Sequence, residues 1–305
     1  MTPAKRRLRG LLAPVFAVLA LLLPAMPSGA WAKPPIWVAH GRGATVVLFG
    51  SVHILSQGAD WRPDALTQAL ADADELWFET PIDDAAMLDA SRQALAQGLL
   101  PQERNLADML SDRGKARLRS AETALRLPGP DLERLRPWLA ELTIGEAAYA
   151  RAGATPDQGV ERQLASAAPQ AARHAFETPA QQIALFAGQS EAVQVASLED
   201  TLRDLETDPD QSRRLIDAWL KGDIKALEKE GLEELRRDSP RMYQVLLTER
   251  NAAWLAALSQ RLDAPPPGGR PPKIVVVVGV GHLVGPGGVP ALLRAKGIRV
   301  DGPRE

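Results

Sequence analysis

Two strongly β-forming runs stand near opposite ends of this chain, with residues 83–262 between them reading as mostly helical, and this separation constrains the fold more than any other feature. Near the start, Ile36-Trp37-Val38-Ala39 and Thr45-Val46-Val47-Leu48-Phe49-Gly50 flank the turn-forming His40-Gly41-Arg42-Gly43, a hairpin pattern. Near the end, Lys273-Ile274-Val275-Val276-Val277-Val278 is apolar and β-branched without alternation, as in a strand covered on both faces. Such a strand needs partners, and the clearest other strands lie at the far end of the chain. If the two ends share one sheet, their strands close a single core with the helices as a cap. The fold class that follows is α/β (α+β), with a central mixed β-sheet built from N- and C-terminal strands and a large helical insertion as a cap.

Two more strands complete this reading. Glu75-Leu76-Trp77-Phe78-Glu79 follows an Ala/Asp-rich helix that begins near Pro63, and Ile298-Arg299-Val300-Asp301 follows a short helix at 289–296. Within the insertion only Ala172-Arg173-His174-Ala175-Phe176 reads as an interruption that a strand would fit. Pro265-Pro266-Pro267-Gly268-Gly269-Arg270-Pro271-Pro272 reads as a stiff polar linker. The layout is one domain over 33–305, with the sheet core at 33–82 and 273–305, the helical cap at 83–264 and the linker at 265–272.

Residues 1–32 read as a removable leader. Lys5, Arg6, Arg7 and Arg9 precede an apolar run from position 11 to 23, and Ala30-Trp31-Ala32 supplies a small-x-small cleavage site. A membrane anchor would need about 20 apolar residues, and Pro14, Pro24 and Pro27 interrupt this stretch. The expected protein is therefore exported to the periplasm or secreted, with no membrane attachment after cleavage. The whole chain carries 36 Lys and Arg against 38 Asp and Glu, and removing the four leader cations leaves 32 against 38, a net charge of −6. That balance gives no general attraction for nucleic acid. With no cysteine, disulfides and thiolate chemistry are excluded.

The four histidines can be taken one at a time. Gly50-Ser51-Val52-His53 and Gly279-Val280-Gly281-His282 have the same form, a strand run ending at a glycine with a histidine three residues later. Both imidazoles are thereby expected beyond the carboxyl ends of strands, where open α/β sheets bind ligands. Gly50, Gly279 and Gly281 would let the backbone take positive φ or approach a neighbour closely. Glu79 ends a third strand. Two neutral imidazoles and a carboxylate can bind a divalent ion and leave a position open for water, whose pKa the ion would lower. Without cysteine, any metal site is limited to nitrogen and oxygen ligands.

These elements together resemble the TraB/GumN family, which includes the Tiki proteases and is similar more distantly to erythromycin-esterase and ChaN-like proteins. The resemblance rests on Leu48-Phe49-Gly50-Ser51-Val52-His53, Trp77-Phe78-Glu79 and Gly279-Val280-Gly281-His282, together with Pro137-Trp138, Gly159-Val160-Glu161 and Glu249-Arg250-Asn251. It implies a reaction centre at His53, His282 and Glu79, a divalent metal ion (Mn, Co or Zn) held by the same three residues, and hydrolysis of a peptide or protein substrate. Glu161 stands where many members carry Asp, one methylene longer.

Beyond these, Arg250 and Asn251 interrupt an apolar helical stripe; Asn251 would orient a histidine or bind substrate and Arg250 would hold a carboxylate, or the two would form a structural hydrogen-bond clamp between cap and sheet. With Glu161 and His174 they are expected around the substrate. His40 reads as an exposed turn residue. Ser51 lacks the G-x-S-x-G setting of a nucleophile. Residues 278–285 imitate a dinucleotide fingerprint, but the third glycine is one residue late. Two alternatives accompany the metallohydrolase: a metal-independent hydrolase in which a His/Glu pair activates water, and a non-catalytic periplasmic binding or regulatory protein on the same fold.

Overall fold

The computed structural model describes residues 33–127, 129–151, 153–265 and 269–304. The expected leader at 1–32 and the middle of the Pro/Gly-rich stretch, 266–268, lie outside the described residues. Eight strands are present among them: β1 Ile36–His40, β2 Thr45–Ser51, β3 Leu55–Ser56, β4 Glu75–Phe78, β5 Ala154–Thr155, β6 Ala172–Ala175, β7 Lys273–Gly279 and β8 Arg299–Asp301. Six form a mixed sheet in the order β6-β4-β7-β2-β1-β8, and β3 pairs with β5 apart from it.

The ends of the chain meet as expected. β7 lies between β2 and β4, parallel to both, and β1 closes the hairpin onto β2 and pairs antiparallel with β8. The unbroken apolar run in β7 follows from this central place. Val275 and Val277 face a core shared with Phe49, Leu76, Phe78 and Trp219, while Ile274, Val276 and Val278 face the opposite core with Val46, Leu48, Trp254 and Leu258. Successive side chains of a strand point to opposite faces, so a strand with cores on both sides has no polar positions.

The insertion has its own apolar centre, formed by Leu100, Leu106, Leu118, Leu132, Ile144, Leu198 and Leu202 among others. It is not wholly helical. β6 lies inside it and forms the edge of the main sheet, parallel to β4, so the sheet draws on the insertion as well as on the two ends. β6 leads into helix Pro179–Ala187, whose N-cap Thr178 forms a capping box with Gln181. Two π-helical segments also depart from an even α-helical pattern, Glu228–Glu233 and Gln244–Thr248. The second runs directly into helix Glu249–Asp263. Among the described residues, no helix is long and apolar enough to cross a membrane.

Candidate active site

Strand register brings the chemistry together. Ser51 is opposite Gly279, Phe78 is opposite Val277, and Ala175 is opposite Phe78. The residues that follow these strands therefore leave at one level from the carboxyl edge of four adjacent parallel strands. Gly279 N–H donates to Glu79 Oε1 at 2.7 Å. A Cβ placed on Gly279 would lie 3.1 Å from Glu79 Oε1, 3.7 Å from His282 Cδ2 and 4.0 Å from His53 Nε2. The three expected site residues thus surround one point. Gly279 has φ −49°, so its role is close approach, not positive φ.

His53 is held by the insertion. Its Nδ1 donates to Glu161 Oε1 at 2.9 Å, and the same carboxylate oxygen accepts from Ser51 Oγ. Val160 N–H donates to Val52 O at 3.1 Å, docking the turn that carries Glu161 onto the His53 loop. A Cβ on Gly159 would fall 2.1 Å from His53 O, so only glycine allows this docking. The Glu161 carboxylate raises His53 to about 9. Burial opposes ionisation of Glu161, but His53 and Ser51 outweigh it and hold the carboxyl below its usual range. Because the His53 side chain remains 66% exposed, water screens this pair and weakens it energetically.

His282 is in the opposite situation. It is 4% exposed and packs its ring against Trp254, with centroids 4.3 Å apart. Its Nδ1 donates to Asn251 Oδ1 at 2.6 Å, and Asn251 Nδ2 donates to Gly287 O at 2.9 Å. With the proton on Nδ1, Nε2 accepts from Arg250 Nη1 at 3.0 Å. Burial, with Arg250 alongside, lowers His282 to about 3. A second proton would place two cations in contact in a buried site.

Arg250 ties the centre together. It forms an ion pair with Glu79 Oε2, donates from Nε to Glu177 Oε1 at 2.8 Å and from Nη2 to Glu177 Oε2 at 3.0 Å, and lies over the Trp254 ring at 4.7 Å. Gln182 Nε2 donates to Glu79 Oε2 at 3.0 Å. Burial opposes the charge of Glu79, but the neighbouring imidazoles, Arg250 and the Gly279 N–H outweigh it and bring its carboxyl to about 2.

The structure therefore gathers His53, Glu79, His282, Arg250, Asn251 and Glu161. It does not bring His174 to them. That ring stacks on Trp77 at 4.9 Å, with Nε2 3.7 Å from Glu75, because His174 lies within β6 and not beyond its end. His40 ends β1 and meets Asp301 at 2.8 Å, outside the site. Gly281 lines an apolar cavity beside the centre. Sequence reasoning missed Glu177, Gln182 and the contacts of Trp254. Glu177 had a usable signal, since it stands just beyond a strand and just before an N-cap, much as Glu79 stands beyond β4.

His53, Glu79 and Glu161 open onto a cleft of about 370 Å³, also lined by Pro81, Met87, Arg162 and Gln182. The donor atoms do not fit a ready three-ligand metal centre. Among the described residues, only Asp204, Glu234 and Asp238 bring three ligand atoms within 4.8 Å of one another, and Arg203 already pairs with Asp204 and Asp238 at 3.0 Å each. At the site itself, the Arg250 guanidinium takes the positions on Glu79 and His282 that a cation would need.

The TraB/PrgY/gumN family model matches residues 35–302. The chain belongs to this family. As a TraB/PrgY/gumN protein it is 27% identical over 250 residues to YbaP of Escherichia coli K12, covering 81% of this chain and 87% of that protein. The same figures hold for YbaP of Shigella flexneri. No solved structure matches the chain.

Proposed function

We propose that this TraB/PrgY/gumN protein is an exported hydrolase of peptide bonds, with its reaction centre at His53, Glu79 and His282. The observation that carries this reading is the convergence of Glu79 Oε1, His282 Cδ2 and His53 Nε2 to within 3.1, 3.7 and 4.0 Å of one point beside Gly279, with Glu79 and His53 lining a cleft. Groups whose environments push their pKa values apart mark out the acid and the base of a reaction. Glu79, a weak base at about 2, takes the proton of the water only as the water attacks, and His53, held at Nδ1 by Glu161, gives a proton from Nε2 to the leaving nitrogen. Arg250, whose N–H groups are all engaged by Glu79, Glu177, His282 and the Leu246 carbonyl, contributes positive charge from behind the centre and not a hydrogen bond to the oxyanion. Neutral His282, locked by Asn251, keeps Arg250 aimed at Glu79.

In this form the hydrolase needs no metal, because Arg250 provides the positive charge. The metal-dependent version, with Mn, Co or Zn on His53, Glu79 and His282, requires Arg250 to leave His282 Nε2. A peptide-library cleavage assay on the purified protein, with chelator and with each metal added back, separates the two. The expected result is cleavage that survives chelation and falls roughly 10²- to 10⁴-fold in His53→Ala and Glu79→Gln. Cleavage abolished by chelator and restored by one metal would establish the metal-dependent version. Absence of cleavage, with both variants losing only stability, would favour the binding or regulatory reading.

A further inference from the structure

His53 lines a second cavity as well as the polar cleft. This cavity has a volume of about 300 Å³, within the range of small-ligand sites, and its walls are apolar: Ile54, Leu215, Ile216, Leu227, Leu232 and Val280. Ser51 and Gly279 also line it, and Gly279 is the residue whose N–H binds Glu79. The cavity thus shares His53 and Gly279 with the reaction centre. We propose that it receives the apolar side chain of the substrate residue next to the scissile bond, making the enzyme selective for peptides with leucine, methionine or phenylalanine there. This inference rests on the peptidase reading above and names the substrate class of that site.

Three observations support the assignment. The lining offers no charged side chain apart from His53, and of its two hydroxyls Ser51 Oγ is already committed to Glu161, so a charged substrate residue would lose its hydration for no more than a hydrogen bond from the Tyr149 phenol. An apolar side chain gains from the same burial in proportion to its area. The space is kept open by glycine: a Cβ on Gly231 would find only Leu215 Cδ2 within contact, at 3.6 Å. Finally, Gly231 and Leu232 lie in the π-helical segment Glu228–Glu233. Such segments are rare and recur at functional sites.

The test uses purified protein and a peptide series that varies only the residue next to the cleaved bond. The wild type is expected to prefer leucine or phenylalanine to alanine and aspartate. Gly231→Leu, which fills the cavity, should lower the leucine-to-alanine ratio of kcat/KM by roughly 10- to 200-fold. Leu232→Ala, which enlarges it, should raise the phenylalanine-to-alanine ratio. In parallel, N-acetyl-leucine amide binding is followed by NMR titration, with thermal unfolding confirming that each variant is folded. Preference for polar residues, or unchanged ratios in both folded variants, would overturn the proposal. If no peptide is cleaved, the hydrolase reading fails, and the titration still decides the cavity: binding to wild type that Gly231→Leu weakens supports it, and no binding refutes it.

Discussion

Replacing Glu79 by glutamine removes one buried charge and little volume, and the structure sets the size and pH dependence of the cost. The side chain is 10% exposed, and its carboxyl is lowered from 4.5 to about 2. At ~1.4 kcal/mol per pH unit, that difference corresponds to about 3 kcal/mol of stability from ionisation in the folded state. Because the folded value lies below the unfolded one, the contribution is complete above the unfolded pKa of 4.5 and disappears as pH falls towards the folded value of about 2. Glu79→Gln should therefore be less stable than wild type by about 3 kcal/mol at neutral pH, with less than half of that gap left near pH 3. Arg250 keeps two hydrogen bonds to Glu177 in the variant, so its charge is not abandoned. Urea unfolding followed by tryptophan fluorescence from about pH 7 to about pH 3 measures the difference, with groups remote from Glu79 cancelling between the two proteins and His53 and His282 contributing through their coupling to Glu79. A gap that stays constant into acid, or one below about 1 kcal/mol at neutral pH, would refute the electrostatic account of Glu79.

Other substitutions test the supports of the site. Gly159→Ala places a methyl 2.1 Å from His53 O and should displace the His53 loop, lowering stability by about 1–3 kcal/mol and turnover with it, as read by thermal unfolding and peptide cleavage. Asn251→Leu leaves His282 Nδ1 and Gly287 O without their partner and should cost about 1–3 kcal/mol, with kcat falling more than KM rises because the substrate cleft is untouched. Within the insertion, burial raises Glu141 to about 7 despite hydrogen bonds from Ser197 and Thr201. A folded value above the unfolded one favours the protonated carboxyl, so this group loses the protein stability as pH rises through 4.5 towards 7, and Glu141→Gln should stabilise it by roughly 1–3 kcal/mol near pH 8 and hardly at all near pH 4.

The sequence makes the sheet legible because residues 274–278 have no polar position and so demand cover on both faces. It makes His53, Glu79 and His282 legible because each follows a strand run closely, and parallel pairing carries such exits to one edge. β6 is harder to read. Ala172, Arg173 and His174 are exposed on this edge strand, so no apolar alternation marks it, and its pairing with β4 depends on distant sequence. Glu177 is hidden by the same uncertainty. Gln182 is indistinguishable from any helix-surface glutamine until helix Pro179–Ala187 packs beside Glu79. The π-helical segments are invisible for another reason: a wider turn changes the phase of the helix without changing its composition. Segment Gln244–Thr248 does this immediately before Arg250 and Asn251. Arg250 then reaches the two glutamates while Asn251 reaches His282 and the Gly287 carbonyl.

The matched G-x-x-H pair raises one further question, since identical motifs invite identical roles. Their environments oppose this. His53 faces a carboxylate from the insertion, which raises its pKa and favours its protonated form, and it is open to water. His282 faces a guanidinium from a different part of the insertion and is enclosed by Trp254, so it stays neutral well below that pH. The repeated motif supplies only the position, an imidazole beyond a parallel strand. The charge state comes from what the insertion places against each ring: Glu161 through the turn at Gly159, and Arg250 through the phase set by the π-helical segment. A change confined to the insertion can therefore reverse the acid–base character of either histidine without altering the sheet or the motifs that carry them.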